Sequence, residues 1–266
     1  MKEKLTMASV LRWYLEVGVD ETVSDVPQNR FIEPPLKAIN IPSQSQINNI
    51  SNVISQEPIL SENLLHDACE TAAAINSIEE LNKALLNYAG CSLRNTATNL
   101  VFGDGNPGAK IVIIGESPGA EEDRQGKAFV GSGGQLLDKM LTSIGLDRSQ
   151  VFLSNTIFWR PPGNRSPTSQ EISICMPFVE RLMELIEPEI LIVLGGPAAK
   201  SLLAETAAVS RLRGKWYNYS TPKLLRPIQT TVIFHPNYLL SSPIHKRETW
   251  QDLIMISNKM KSIGLK

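Results

Sequence analysis

Between residues 110 and 234 the chain repeats one pattern: a short unbroken apolar run, a turn of Gly, Pro and polar residues, then a stretch with apolar residues at helical spacing. The runs Lys110–Gly115, Val151–Ile157, Ile190–Gly195 and Thr230–Phe234 are short and do not alternate, which predicts strands buried on both faces. Gly134–Ile144, Thr168–Ile186, Pro197–Leu203 and His245–Ser262 carry the helical period. The simplest way to bury all of them is an α/β fold, a three-layer α/β/α sandwich around a central, largely parallel four-stranded sheet.

The N-terminal third reads differently. Val10–Glu21 has helical spacing, Pro27–Glu57 is rich in Pro, Ser, Asn and Gln, and Leu60–Leu86 resumes the helical pattern. These patterns predict a helical extension over 1–87 with a flexible linker at about 22–58, followed by a catalytic domain over 88–266.

No apolar run approaches the roughly 20 residues needed to cross a membrane, and no signal-peptide pattern follows Met1. The expected location is the cytoplasm, as a monomer. The formal net charge of -1 hides an asymmetry: residues 1–90 hold 6 Lys/Arg against 12 Asp/Glu, whereas residues 91–266 hold 20 against 15. Arg211, Arg213, Lys215, Lys223 and Arg226 form the densest basic patch, either a nucleic-acid footprint or a solvated face.

The chemistry concentrates where strands end. Lys110–Gly115 empties into Gly115-Glu-Ser-Pro-Gly-Ala-Glu-Glu122, then an aromatic, Phe129, and a second glycine turn, Gly131-Ser-Gly-Gly134. In an open α/β sheet such carboxyl ends carry the ligand site. The glycine spacing lacks a dinucleotide fingerprint, and GxxxxGK[ST] is absent, so a nucleotide cofactor is not expected. Asn155 closes the second run and His235-Pro-Asn-Tyr-Leu-Leu240 follows the last. Taken singly, Asn155 reads as a turn cap, His235 as a core histidine and Phe129 as packing; their shared strand-end placement favours a site.

Four segments, in order, carry a family resemblance: GESPGAEEDRQGKAFVGSGGQLLD from Gly115, Asn155-Thr-Ile-Phe-Trp-Arg-Pro-Pro-Gly-Asn-Arg165, Ser210-Arg-Leu-Arg-Gly-Lys-Trp216, and His235-Pro-Asn-Tyr-Leu-Leu240. From about Tyr88 to Lys259 the chain resembles family 4 of the uracil-DNA glycosylase superfamily. That resemblance implies hydrolysis of the N-glycosidic bond of deoxyuridine flipped out of single- or double-stranded DNA, leaving an abasic site for base excision repair. A catalytically altered binder of damaged DNA is the alternative. It assigns catalysis to Glu116, Glu122, Asn155 and His235, with Gly115, Ser117, Gly119 and Phe129 joining Asn155 and His235 around uracil. DNA contacts fall to Arg165, Arg211, Arg213, Lys215, Tyr238, Leu239 and Leu240.

The chemistry agrees with those assignments. Cleavage leaves an oxocarbenium-like sugar and a base anion, so a donor at uracil O2, the place matched by His235, lowers the barrier. A side-chain amide such as Asn155 can accept from N3–H and donate to O4 at once, a pattern that cytosine inverts. Ser117 stands where the best-known uracil glycosylases carry an Asp, so no carboxylate base is expected there.

Family 4 enzymes typically hold a four-iron, four-sulfur cluster on four cysteines. Here Cys91 and Cys175 match two of those positions, while Tyr88 and Trp159 occupy the others. Tyr and Trp are not equivalents of thiolate ligands, so the expectation is no cofactor and no metal, with aromatic packing in the vacated volume. Cys69 is expected as a free buried thiol, and His66 and His245 as ordinary polar residues.

Overall fold

The structure, a computed structural model, describes residues 63–265. The chain divides into two units, Met1–Ser51 and Asn52–Lys266, and every described residue belongs to the second. The expected helix over Val10–Glu21 and linker over 22–58 lie outside the described residues.

In chain order the elements are α1 (residues 63–74), α2 (Ile78–Asn87), β1 (Asp104–Gly105), β2 (Ile111–Gly115), α3 (Ala120–Gln125), α4 (Ser132–Ser143), β3 (Phe152–Asn155), α5 (Ser169–Ile186), β4 (Ile190–Leu194), α6 (Gly196–Leu203), α7 (Val209–Leu212), β5 (Tyr217–Tyr219), β6 (Ile228–Ile233), α8 (Pro236–Ser241) and α9 (Lys246–Ser262). One sheet has the order β1-β3-β2-β4-β6-β5. Its central strands β3, β2, β4 and β6 are parallel, as the buried apolar runs predict. Two antiparallel edge strands, β1 and β5, extend it to six. At two and three residues they carry no apolar run from which a strand could be read, and they satisfy ladder groups that an open edge would leave unpaired.

Alternation through the central strands builds two cores. Val112 and Ile114 of β2 and Leu191 and Val193 of β4 face one core, with Phe178 and Leu182 of α5. Ile111 and Ile113, with Ile190, Ile192 and Leu194, face the other, where Leu137 and Leu141 of α4 and Leu253 and Ile256 of α9 cover them. The helices thus lie on both faces, giving the three layers.

The expected domain boundary at residue 88 is not where the core ends. Ala68, Ala72, Leu81 and Leu85 are buried in the same core as Tyr88 and Phe178, and each leucine so buried contributes about 1.5–3 kcal/mol. Helices 63–74 and α2 therefore belong to the compact unit. The single helical stretch expected over Leu60–Leu86 is interrupted at Ser77, whose Oγ accepts from Glu80 N–H at 3.1 Å and starts α2 afresh.

Candidate active site

The parallel strands finish together at Gly115, Asn155, Leu194 and Ile233, and the loops beyond them enclose a small pocket. Ser117, Gly119, Glu122, Phe129, Asn155 and His235 line it, together with Gly133, Gly134 and Asn237. Asn155 lies opposite Gly115 in the β2–β3 ladder, and Thr156 N–H to Gly115 O (2.9 Å) and Ile157 N–H to Glu116 O (3.0 Å) carry the pairing past the strand ends. Asn155 is 3% exposed, and what remains open of it faces the pocket.

Three glycines let these groups approach. A Cβ on Gly115 would lie 2.7 Å from Asn155 Oδ1 and 2.8 Å from Phe129 Cζ, so Gly115 lies beneath both side chains rather than in the pocket wall. On Gly133 it would meet Asn237 Oδ1 at 1.9 Å, and on Gly134 the Phe129 carbonyl at 1.7 Å. Asn237, Gly133 and Gly134 are site residues absent from the expected set. Their signal was present in Gly131-Ser-Gly-Gly134 and His235-Pro-Asn237, but which glycine meets which side chain depends on packing between α4 and α8.

His235 is the N-cap of α8, and its Nδ1 accepts from Asn237 N–H at 3.2 Å. Accepting at Nδ1 places the proton of the neutral ring on Nε2. Burial pushes its pKa down to about 4, against a smaller upward pull from Glu122. At neutral pH it is thus an uncharged donor, its ring 6.2 Å from that of Phe129, centroid to centroid.

The two acids separate. Glu122 Oε2 accepts from Gly119 N–H (3.1 Å) and Oε1 from Gly131 N–H (2.9 Å), tying the two glycine turns together across the pocket mouth. Each of its oxygens thus holds one backbone N–H of the turns that wall the pocket. Glu116 does not converge on this pocket. Its backbone is fixed by Thr156 Oγ1 (2.8 Å), and its side chain lines a larger neighbouring cleft with Ser166, Ser169, Pro197 and Lys200. Burial raises its pKa.

Among the expected DNA-contacting residues, Arg165 and Arg213 are paired with carboxylates and Leu239 is buried, although Arg165 itself stays exposed. Arg165 makes a two-pronged pair with Glu171 (2.9 and 2.6 Å) that closes the N-terminus of α5. Arg213 reaches both carboxylate oxygens of buried Asp252 at 2.9 Å, and Leu239 is 1% exposed, in the core with Leu137 and Leu253. Arg211 and Lys215 are exposed, as are Leu240 (42%) and Tyr238 (44%). Burial follows from the short helix α8, which turns Leu239 inward and its neighbours outward. His245 is more than an ordinary polar residue: its ring lies against Phe234 and Tyr238 at 4.9 and 5.3 Å.

Tyr88, Cys91, Trp159 and Cys175 meet in one core. Tyr88 packs edge-on against Phe178 (4.9 Å) and donates its hydroxyl proton to Leu64 O (3.2 Å). Trp159 is 2% exposed and meets Phe158 edge-on. The Cys175 thiol is buried, and the neighbouring Cys91 and its burial raise its pKa. Two thiols and two aromatic rings, one already spending its hydroxyl on backbone, do not fit a four-thiolate cluster. Among the described residues no group of three or more His, Cys, Asp or Glu could hold a metal ion. Cys69, expected to be buried, is exposed. No helix among the described residues is long and apolar enough to cross a membrane.

Residues 102–254 match the uracil DNA glycosylase superfamily. The type-4 uracil-DNA glycosylase of Archaeoglobus fulgidus is 36% identical over 67% of this chain and 90% of its own length. Those of Sulfurisphaera tokodaii and Thermotoga maritima are each 34% identical, over 64% and 61% of this chain and 78% and 83% of their own. With more than half of its length matched, and with its strand-end motifs gathered on one pocket, the chain belongs to the uracil-DNA glycosylase superfamily, in its family 4 group.

Proposed function

We propose that this protein hydrolyses the bond between deoxyribose C1′ and uracil N1 in DNA, releasing uracil and leaving an abasic site, and that it does so without an iron–sulfur cluster. The observation that carries this reading is the meeting of the Asn155 amide, the Phe129 ring and the Nε2–H donor His235 in one pocket. Uracil flipped from the stack lies on the Phe129 ring. Asn155 accepts from N3–H and donates to O4, which rejects cytosine. As the bond to C1′ lengthens, negative charge grows on O2, and His235 donates to it from Nε2 without itself carrying charge.

Glu122 holds the Gly119 and Gly131 turns around the base. Glu116, whose side chain lines the adjoining cleft, is the acid left to orient water toward the sugar. Arg211, Lys215 and Tyr238 contact the DNA backbone, and exposed Leu240 fills the gap left by the flipped nucleotide. Release of uracil from single-stranded and duplex oligonucleotides tests the proposal and settles strand preference. Expected is excision of uracil and not of cytosine; binding of uracil-containing DNA without base release would favour the damage-binding alternative.

A further inference from the structure

Phe129 sits at φ 54°, in the left-handed region that bulky side chains avoid, and it is the only aromatic among the described non-glycine residues found there. Such a conformation persists only where its surroundings fix it, and the fixing group is Arg148. Its Nη2 donates to the Phe129 carbonyl and its Nη1 to the Ala128 carbonyl at 3.2 Å. The same guanidinium reaches Asp138 through Nε (2.8 Å) and Nη2 (3.3 Å), and Asp104 on the edge strand β1 through Nη1. All five N–H donors are thereby used. From the other side, Gly134 leaves no room for even a Cβ beside the Phe129 carbonyl. The ring tip is confined as closely, against Gly115 and Asn155.

We infer that Arg148 is a positioning residue for base recognition: from outside the pocket it clamps the Ala128 and Phe129 carbonyls and so sets the ring on which the flipped base stacks. Asp104 and Asp138 orient the guanidinium in turn. This explains why an arginine is suited to the position, since lysine offers a point charge and cannot serve two carbonyls and two carboxylates in one plane. The inference rests on the reading that uracil stacks on Phe129.

A double-mutant cycle between Arg148→Ala and Phe129→Ala tests it, with single-turnover uracil release at saturating enzyme, inhibition by free uracil, and thermal unfolding measured for each variant. Arg148→Ala is expected to weaken uracil inhibition and slow release by between about tenfold and a hundredfold, the scale of a misplaced substrate-positioning group. In the Phe129→Ala background the same change should have little further effect, because the group it acts through is gone. Asp104→Asn with Asp138→Asn, which loosens the guanidinium but leaves it able to reach both carbonyls, should slow release by less than Arg148→Ala does; a larger loss would contradict the clamp. Additive losses in the cycle, or wild-type uracil inhibition in folded Arg148→Ala, would overturn the positioning role. Wild-type release by Phe129→Ala would instead remove the stacking reading beneath it. If Arg148→Ala does not fold, Arg148→Lys takes its place in the same cycle.

Discussion

Two clusters in this chain differ in character: one opens on a pocket and the other is closed into the core. At the strand ends Phe129, Asn155 and His235 retain both their residue types and a geometry suited to a base: an aromatic wall, a side-chain amide and a neutral donor around one pocket. At the Tyr88, Cys91, Trp159 and Cys175 corner, two thiols and two aromatic rings are packed into the core, and the Tyr88 hydroxyl donates to the Leu64 carbonyl. Polar groups that line a pocket stay available to a ligand, whereas those packed among apolar side chains do not. The contrast separates what the chemistry requires from what the scaffold can replace by packing.

The hardest test of the retained side is His235→Ala. Removing a donor aimed at charge that grows in the transition state should slow single-turnover uracil release about 30- to 1,000-fold, or about 2–4 kcal/mol. Circular dichroism should remain that of a folded protein. A folded variant with wild-type release would take His235 out of the reaction.

Asn155→Asp follows in size. The carboxylate keeps the shape but removes the donor to O4, so release should fall about 5- to 150-fold, matching the roughly 1–3 kcal/mol of one two-point base contact. Binding of DNA, spread over backbone contacts, should change less. Loss of DNA binding in proportion to release would show that Asn155 supports the fold instead of reading the base.

How far these two clusters could be read in advance differs by physical origin. The four parallel strands, the major helices and the convergence of Phe129, Asn155 and His235 follow from apolar runs and from what ends them. Leu239 and Leu240 are indistinguishable by composition, and only the turn of α8 buries one and exposes the other. That Arg165 and Arg213 pair with Glu171 and Asp252, 6 and 39 positions away, is not written in the basic segments themselves. Asp104 and Arg148, 44 positions apart, carry no local motif at all. Pairing between distant segments is the part that periodicity does not encode.

A third prediction uses pH to sharpen the retained side. His235 has a folded pKa of about 4, below the roughly 6.5 of an unfolded histidine. Between those values the unfolded chain binds more protons, so this residue makes stability rise with pH and fall as pH drops from about 6.5 to about 4. Below that window its ring is charged in both states and can no longer accept from Asn237 N–H. Urea unfolding across the window should therefore show a slope that His235→Ala reduces. Uracil release should stay flat from about pH 6 to 8, since the donor is neutral throughout. A decline in release as pH rises through 6.5 would indicate a charged imidazole and contradict the neutral-donor assignment.

The smallest expected effect belongs to the other cluster, and its smallness is the point. Replacing Cys91 and Cys175 together by Ala removes two buried sulfur atoms that act as small apolar groups. Stability should fall by about 1–2 kcal/mol, in line with modest truncation of buried side chains. Uracil release by the folded fraction should stay within about twofold of wild type, since on this reading neither thiol holds a cofactor that supports the pocket. Protein prepared without oxygen should be colourless and carry no stoichiometric iron or sulfide. If a cluster were present after all, wild-type protein would contain about four of each, and the double substitution would release them along with much of the fold. That outcome would make the two clusters alike, both retained, and would require ligands other than Tyr88 and Trp159 at the missing corners.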